Sequence, residues 1–168
     1  PGFEYKEDIA TGSRAAARGG FTAVACMPNT NPVLDTESAV SQVRQRGNEV
    51  GLCRVHPIAA ITKGQKGCEL TEMQILAEAG AVGFSDDGFP VESARVMRRA
   101  LEYANFTGRP IIAHCEEKTL AAGGHVHEGV VSLRLGIPGM PGIAEDLGVA
   151  RDVRLAEMTR GRLHVCHV

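Results

Sequence analysis

Two patterns of hydrophobic and polar positions alternate along the chain. Five short runs are nearly continuous in apolar residues and rich in Val and Ile: FTAVACMPN (21–29), LCRVHPIAAI (52–61), AVGFSDDG (81–88), PIIAHCEE (110–117) and RLHVCHV (162–168). Runs of this length without alternation predict strands buried on both faces, the situation of parallel strands covered by helices. Between them the apolar positions recur at helical spacing. EDIATGSRAAARGG predicts a helix closed by Gly19 and Gly20, and Asp35 is placed to cap a second helix running to about residue 47. Thr71 and Gln74 form a capping-box pattern ahead of Ile75, Leu76 and Ala77, with Gly80 where a helix-ending glycine belongs. Met97, Leu101 and Ala104 mark a further helix, and Val149, Val153 and Ala156 another.

The predicted order is therefore α-β-α-β-α-β-α-β-α-β. Right-handed crossovers repeated in this way build either an open doubly wound sheet or a closed (β/α)8 barrel. Polar residues stand at the C-terminal ends of four runs: Asn29, then Asp86 and Asp87, then His114, then His167. In a barrel such ends converge on one mouth, whereas in an open sheet they spread along an edge. Four polar strand ends favour the barrel. The expected fold class is α/β, a partial (β/α)8 TIM barrel holding about strands 2 to 6 with their helices. Residues 1–168 are expected to be part of a single domain truncated at both ends, because Pro1 replaces an initiating Met and Val168 closes a strand without turn, cap or polar tail.

Composition narrows the class of partner. With 43% hydrophobic and 23% charged residues the chain has the make-up of a globular domain with one sizeable core. Eighteen Lys and Arg against twenty Asp and Glu, a net charge of −2 and the lack of a basic stripe argue against nucleic acid and against a membrane surface. A small-molecule partner is expected. The five cysteines, Cys26, Cys53, Cys68, Cys115 and Cys166, are scattered without a CxxC, and several lie in strand-like runs, which fits a reducing cytoplasm. No apolar run reaches transmembrane length.

His114 and His167 are candidate metal ligands, because neutral imidazole is the commonest transition-metal ligand and a carboxylate such as Asp87 completes a mixed N/O set suited to zinc. Each also has a plainer role open to it: a hydrogen-bonded core histidine, or an Asp-Gly turn in SDDG. Of Asp86 and Asp87, one can turn into the mouth while the other serves the loop. Asn29, between two prolines in MPNTNP, sits in a rigid loop that could hold its amide towards a ligand, or in a tight turn. His56 lies early in its run and reads as structural. His125 and His127 form an HxH, but Gly123, Gly124 and Gly129 surround it in a long connection, and it is not assigned as a metal site. His164 projects to the face of its strand opposite His167 and reads as a structural partner.

Taken together, PGFEYKEDIATGSRAAARGGFTAVACMPNTNPVLD, AVGFSDDG, PIIAHCEE, LGIPGMPGIAEDLGVARDVRLAE and HVCHV resemble the bacterial class I-type dihydroorotases of the amidohydrolase superfamily, over essentially the whole chain. The resemblance implies a metal-dependent (β/α)8 enzyme of pyrimidine biosynthesis that interconverts N-carbamoyl-L-aspartate and L-dihydroorotate with one or two zinc ions. It implies Asp87, His114 and His167 as metal ligands and Asn29 as a contact to the substrate carboxylate. The family's HxHxR segment, with its first two metal histidines, lies before the EPG of which Pro1 is part, and its proton-shuttling aspartate lies beyond Val168. The resemblance also leaves room for a homodimer and for association with aspartate transcarbamoylase. Allantoinases and hydantoinases are the near alternatives, but they usually carry a carboxylated lysine where this chain reads GFSDDG. A non-catalytic partner of aspartate transcarbamoylase is a second alternative. The 168 residues by themselves are expected to be inactive.

Overall fold

The computed structural model describes residues 2–168. Helix α1 (Ile9–Arg18) leads into strand β1 (Ala23–Cys26), α2 (Glu37–Val50) and β2 (Arg54–Pro57). After a 3-10 turn at Lys63–Gln65 come α3 (Met73–Ala79), α4 (Ala94–Thr107) and β3 (Ile111–Ala113). Then follow α5 (Lys118–Ala121), β4 (Val126–His127), α6 (Val130–Leu135), β5 (Gly139–Met140), α7 (Ile143–Thr159) and β6 (Leu163–Val165).

The molecule is α/β with parallel pairing throughout its regular strands. β1 pairs β2, β3 pairs β6, and β4 pairs β5, each in parallel. The run at 81–88, expected as a full strand, forms only single-residue parallel bridges, in which Phe84 faces both Ala59 and Ile111. Those bridges nonetheless stitch the first two pairs together: Ala59 N donates to Gly83 O, Ser85 N to Ala59 O, Phe84 N to Pro110 O and Ile112 N to Phe84 O. Five extended segments thus lie side by side in chain order. Sequential parallel neighbours are what successive β-α-β crossovers produce.

The core fills the space between this ladder and α2, α3 and α4. Val40 and Val43, Met73 and Leu76, and Met97, Leu101 and Ala104 meet Ala59, Ile61, Phe84 and Ile111, all buried. The helical face expected from Met97, Leu101 and Ala104 is the face that packs. Burial on both faces holds for the middle of the ladder only, since at its ends Ala25 in β1 and His164 in β6 are exposed.

Four local expectations change. Thr36, not Asp35, caps α2, which runs on to Val50; the Asp35 carboxylate instead accepts the Gly64 amide at 2.8 Å. Thr71 does not cap α3, because its hydroxyl is buried and donates to Ala60 O at 2.8 Å, while Gln74 bonds Glu78 one turn along. Gly80 does end α3, at φ 116°, where a side chain would be strained. On α7 the fully buried stripe is Ala144, Gly148 and Asp152. Val149 and Ala156 pack against the core edge, whereas Val153 is 46% exposed. The region 118–142, expected as a connection, holds two short helices and the β4–β5 pair.

Candidate metal centre at the strand ends

Asp86 and Asp87 separate cleanly. The Asp86 side chain folds inward, 2% exposed, and its Oδ1 accepts the amides of Ile61 and Thr62 at 2.9 and 3.0 Å. Its Oδ2 accepts the Thr62 hydroxyl. Burial pushes this carboxyl above its ordinary range, against those hydrogen bonds. Asp86 is thus the residue that shapes the loop, tying the end of the third segment to the second. Asp87 adopts φ 53°, a left-handed conformation that Asp tolerates better than most residues, with its amide held by the Ser85 hydroxyl at 3.0 Å. Its Oδ2 accepts a short hydrogen bond from Asn29 Nδ2. The rigid loop after β1, where Leu34 N donates to Pro28 O at 3.1 Å, therefore presents the Asn29 amide to a carboxylate.

His114 and His167 stand just beyond β3 and β6, which are hydrogen-bonded neighbours. Cys166 N donates to Ala113 O at 3.1 Å, so the ladder continues to the residue before His167. Their rings meet edge to face with centroids 4.8 Å apart, and His114 Nδ1 lies 3.0 Å from His167 Nε2. Two ring nitrogens aimed at each other need either a proton between them or a cation. Nitrogens on one edge of a tetrahedral zinc site lie about 3.3 Å apart, given Zn–N of about 2.0–2.1 Å. The pair fits that edge after a shift of a few tenths of an ångström. His167 also has a positive φ, 35°, so two of the four non-glycine residues with positive φ among the described residues are candidate ligands. Backbone of this kind concentrates at functional sites.

The structure brings His114 to His167 and Asn29 to Asp87. Among the described residues no three His, Cys, Asp or Glu side chains group closely enough to hold a metal ion. Burial pushes the Cys166 thiol up, and the Asp87 charge adds to the shift. Glu116 was missed by sequence reasoning. Its Oε2 lies 3.4 Å from His114 Nε2, on the ring edge away from His167. A carboxylate two residues after a strand-end histidine, as in HCE, was the available signal. With Nε2 donating to Glu116, the His114 Nδ1 lone pair faces His167, the arrangement in which metal-bound histidines are commonly held.

The family model described as Dihydro-orotase-like matches residues 1–168. The chain belongs to this family. Dihydroorotases from Pelotomaculum thermopropionicum and Geobacter sulfurreducens are 57% and 54% identical to it over 168 residues, which is 100% of this chain and 39% and 40% of theirs. The chain thus spans about two fifths of the length of these curated relatives. Among solved structures, the L-hydantoinase (dihydropyrimidinase) of Arthrobacter aurescens superimposes with a TM-score of 0.71 at 21% identity, over 96% of this chain and 37% of that one. That likeness is one of fold. Among the described residues no helix is long and apolar enough to cross a membrane.

Proposed function

We propose that this chain supplies the middle of the active site of a zinc-dependent dihydroorotase, which interconverts N-carbamoyl-L-aspartate and L-dihydroorotate in cytoplasmic pyrimidine biosynthesis. The observation that carries the reading is the His114–His167 pair, whose ring nitrogens face each other at 3.0 Å on adjacent strand ends. Membership of the Dihydro-orotase-like family supports it. The five parallel segments in chain order, and the likeness in fold to the hydantoinase, support a partial (β/α)8 barrel with these strand ends at its mouth.

In this reading His114 and His167 would hold zinc, with Asp87 as a carboxylate ligand from the neighbouring strand end. When bound, zinc brings the pKa of a water to about 7 and polarises the amide carbonyl, which opening a cyclic amide at neutral pH requires. The chain's own residues bind and orient. Asn29 Nδ2 already donates to a carboxylate, Asp87, and offers the same donor to a substrate carboxylate. Asp86 fixes the turn that carries Asp87, and Glu116 fixes the ring of His114. Hydrolysis adds the water oxygen to the ring carbonyl and a proton to the departing nitrogen. The family resemblance assigns that proton transfer to an aspartate beyond Val168, outside this chain.

The test measures zinc content and dihydroorotate formation from N-carbamoyl aspartate in the full-length protein, for wild type, His167→Ala and Asp87→Ala. Both variants are expected to lose bound metal and at least about 100-fold in activity, in line with removal of a group that stabilises developing charge. A wild-type protein that binds no zinc and forms no dihydroorotate would show the reading to be wrong.

A further inference from the structure

Helix α7 lies across the segment that carries His114, and it does so through three residues one turn apart. Ala144 O accepts the Glu117 amide at 2.8 Å. At Gly148 an added Cβ would sit 2.7 Å from Glu116 N and 2.8 Å from Cys115 C, so the helix backbone touches the strand-end backbone directly. Asp152, 1% exposed, accepts from the Cys115 thiol at 3.6 Å through Oδ2 and pairs with Arg151 Nε at 2.8 Å through Oδ1. Arg151 in turn donates to Glu92 O at 2.8 Å, which ties the pair to the loop before α4.

A buried carboxylate is costly unless its oxygens are occupied, and here both are. Packing alone would be served as well by an apolar residue at 152 and a small residue at 148. The stripe instead bonds Glu117 through Ala144 O and Cys115 through Asp152, and at Gly148 it leaves no room for a side chain against the Cys115–Glu116 peptide, so it backs the three residues that follow His114. Ring nitrogens that must meet a metal within a few tenths of an ångström depend on such backing.

We propose that the Ala144–Gly148–Asp152 stripe of α7 sets the position of His114 for metal binding, with Asp152 a positioning residue that acts through Cys115. This inference rests on the zinc reading above and goes beyond it by assigning residues that touch neither metal nor substrate.

The experiment uses the full-length protein, stripped of metal and titrated with zinc against a chromogenic chelator, with cobalt(II) absorption as a second readout and melting of the metal-free form as a third. Cys115→Ala and Gly148→Ala are expected to weaken zinc affinity about 10-fold or more and to alter the cobalt spectrum, the range seen when outer groups supporting a ligand are removed. Cys115→Ser, which keeps a donor for Asp152, is expected to restore both. Cys115→Ala with Asp152→Ala is expected to bind zinc no more weakly than Asp152→Ala alone. Arg154→Ala, on the exposed face of α7, serves as the control and leaves zinc affinity unchanged. Variants that melt lower without metal yet keep wild-type zinc affinity and cobalt spectrum would show that the stripe only packs. Wild-type protein that binds no zinc overturns the metal reading and this inference with it, whereas zinc-binding wild type with unaffected variants overturns this inference alone. If Gly148→Ala does not fold, the Cys115 pair, which changes little volume, still decides.

Discussion

Neighbouring carboxylates in one turn do opposite work. Asp86 is an acceptor for two backbone amides and a hydroxyl in the interior, and Asp87 is turned towards the strand ends with Asn29. Replacing Asp86 by Ala leaves the Thr62 amide and hydroxyl without that acceptor, and an unmet buried donor costs about 1–3 kcal/mol. Asp86→Ala is therefore expected to lower the stability of the full-length protein by about 3 kcal/mol in urea denaturation. Asp87→Ala is expected to change stability little while removing metal. The reverse pattern, a stable Asp86→Ala that has lost metal, would exchange the two roles. The same division appears at Cys115, whose thiol is pushed up to about 12, first by burial and then by the Asp152 charge. It behaves as a buried donor.

Elements meet where glycine permits. Gly47 lies within α2, where alanine would ordinarily favour the helix by about 1 kcal/mol. Here an added Cβ would sit 2.7 Å from Val55 Cβ in β2, and overpacking of that kind costs about 1–3 kcal/mol. Gly47→Ala is expected to lower the melting temperature despite its gain in helix propensity. A higher melting temperature would mean that α2 and β2 are not in close contact. The same principle operates at Gly148, where the backbone of α7 reaches the strand end bearing His114. Helix pattern alone placed the buried face of α7 at Val149, Val153 and Ala156; Val149 and Ala156 do pack against the core, while Val153 is exposed and the fully buried stripe runs one residue earlier, through Gly148 and Asp152. An apolar stripe was the signal sought, and the true face carries Ala, Gly and a buried Asp.

At the scale of the molecule, the parallel ladder has β1 and β6 at its two ends, each paired on one side among the described residues. Phe21 before β1 is 62% exposed and Val168 after β6 is 87% exposed. Unpaired strand edges flanked by exposed apolar side chains favour association. The isolated 168-residue chain is expected to self-associate in sedimentation and to form no dihydroorotate with zinc present. A monodisperse monomer that cyclises N-carbamoyl aspartate would refute this.

Much of the architecture was legible because hydrophobic patterning is a local property. Continuous Val- and Ile-rich runs located the five segments of the main parallel ladder but not the short β4–β5 pair, and helical spacing located the buried face of α4. Asn29, Asp86, Asp87, His114 and His167 were legible as polar residues at strand ends, and the family resemblance alone suggested roles for Asn29, Asp87, His114 and His167. Caps were less legible, because Asp35 and Thr71 found acceptors and donors distant in sequence that competed with the helix ends.

By itself, then, the sequence determined the alternation of helices with parallel strands, the membership of a family, and which polar side chains stand at strand ends, since each follows from local pattern or motif. Only the tertiary structure decided which of Asp86 and Asp87 faces inward, that the His114 and His167 ring nitrogens oppose each other, and that Glu116 and Asp152 stand behind them. Those outcomes depend on register between strands and on the closeness of α7 to β3, which are set by packing between residues far apart in the chain.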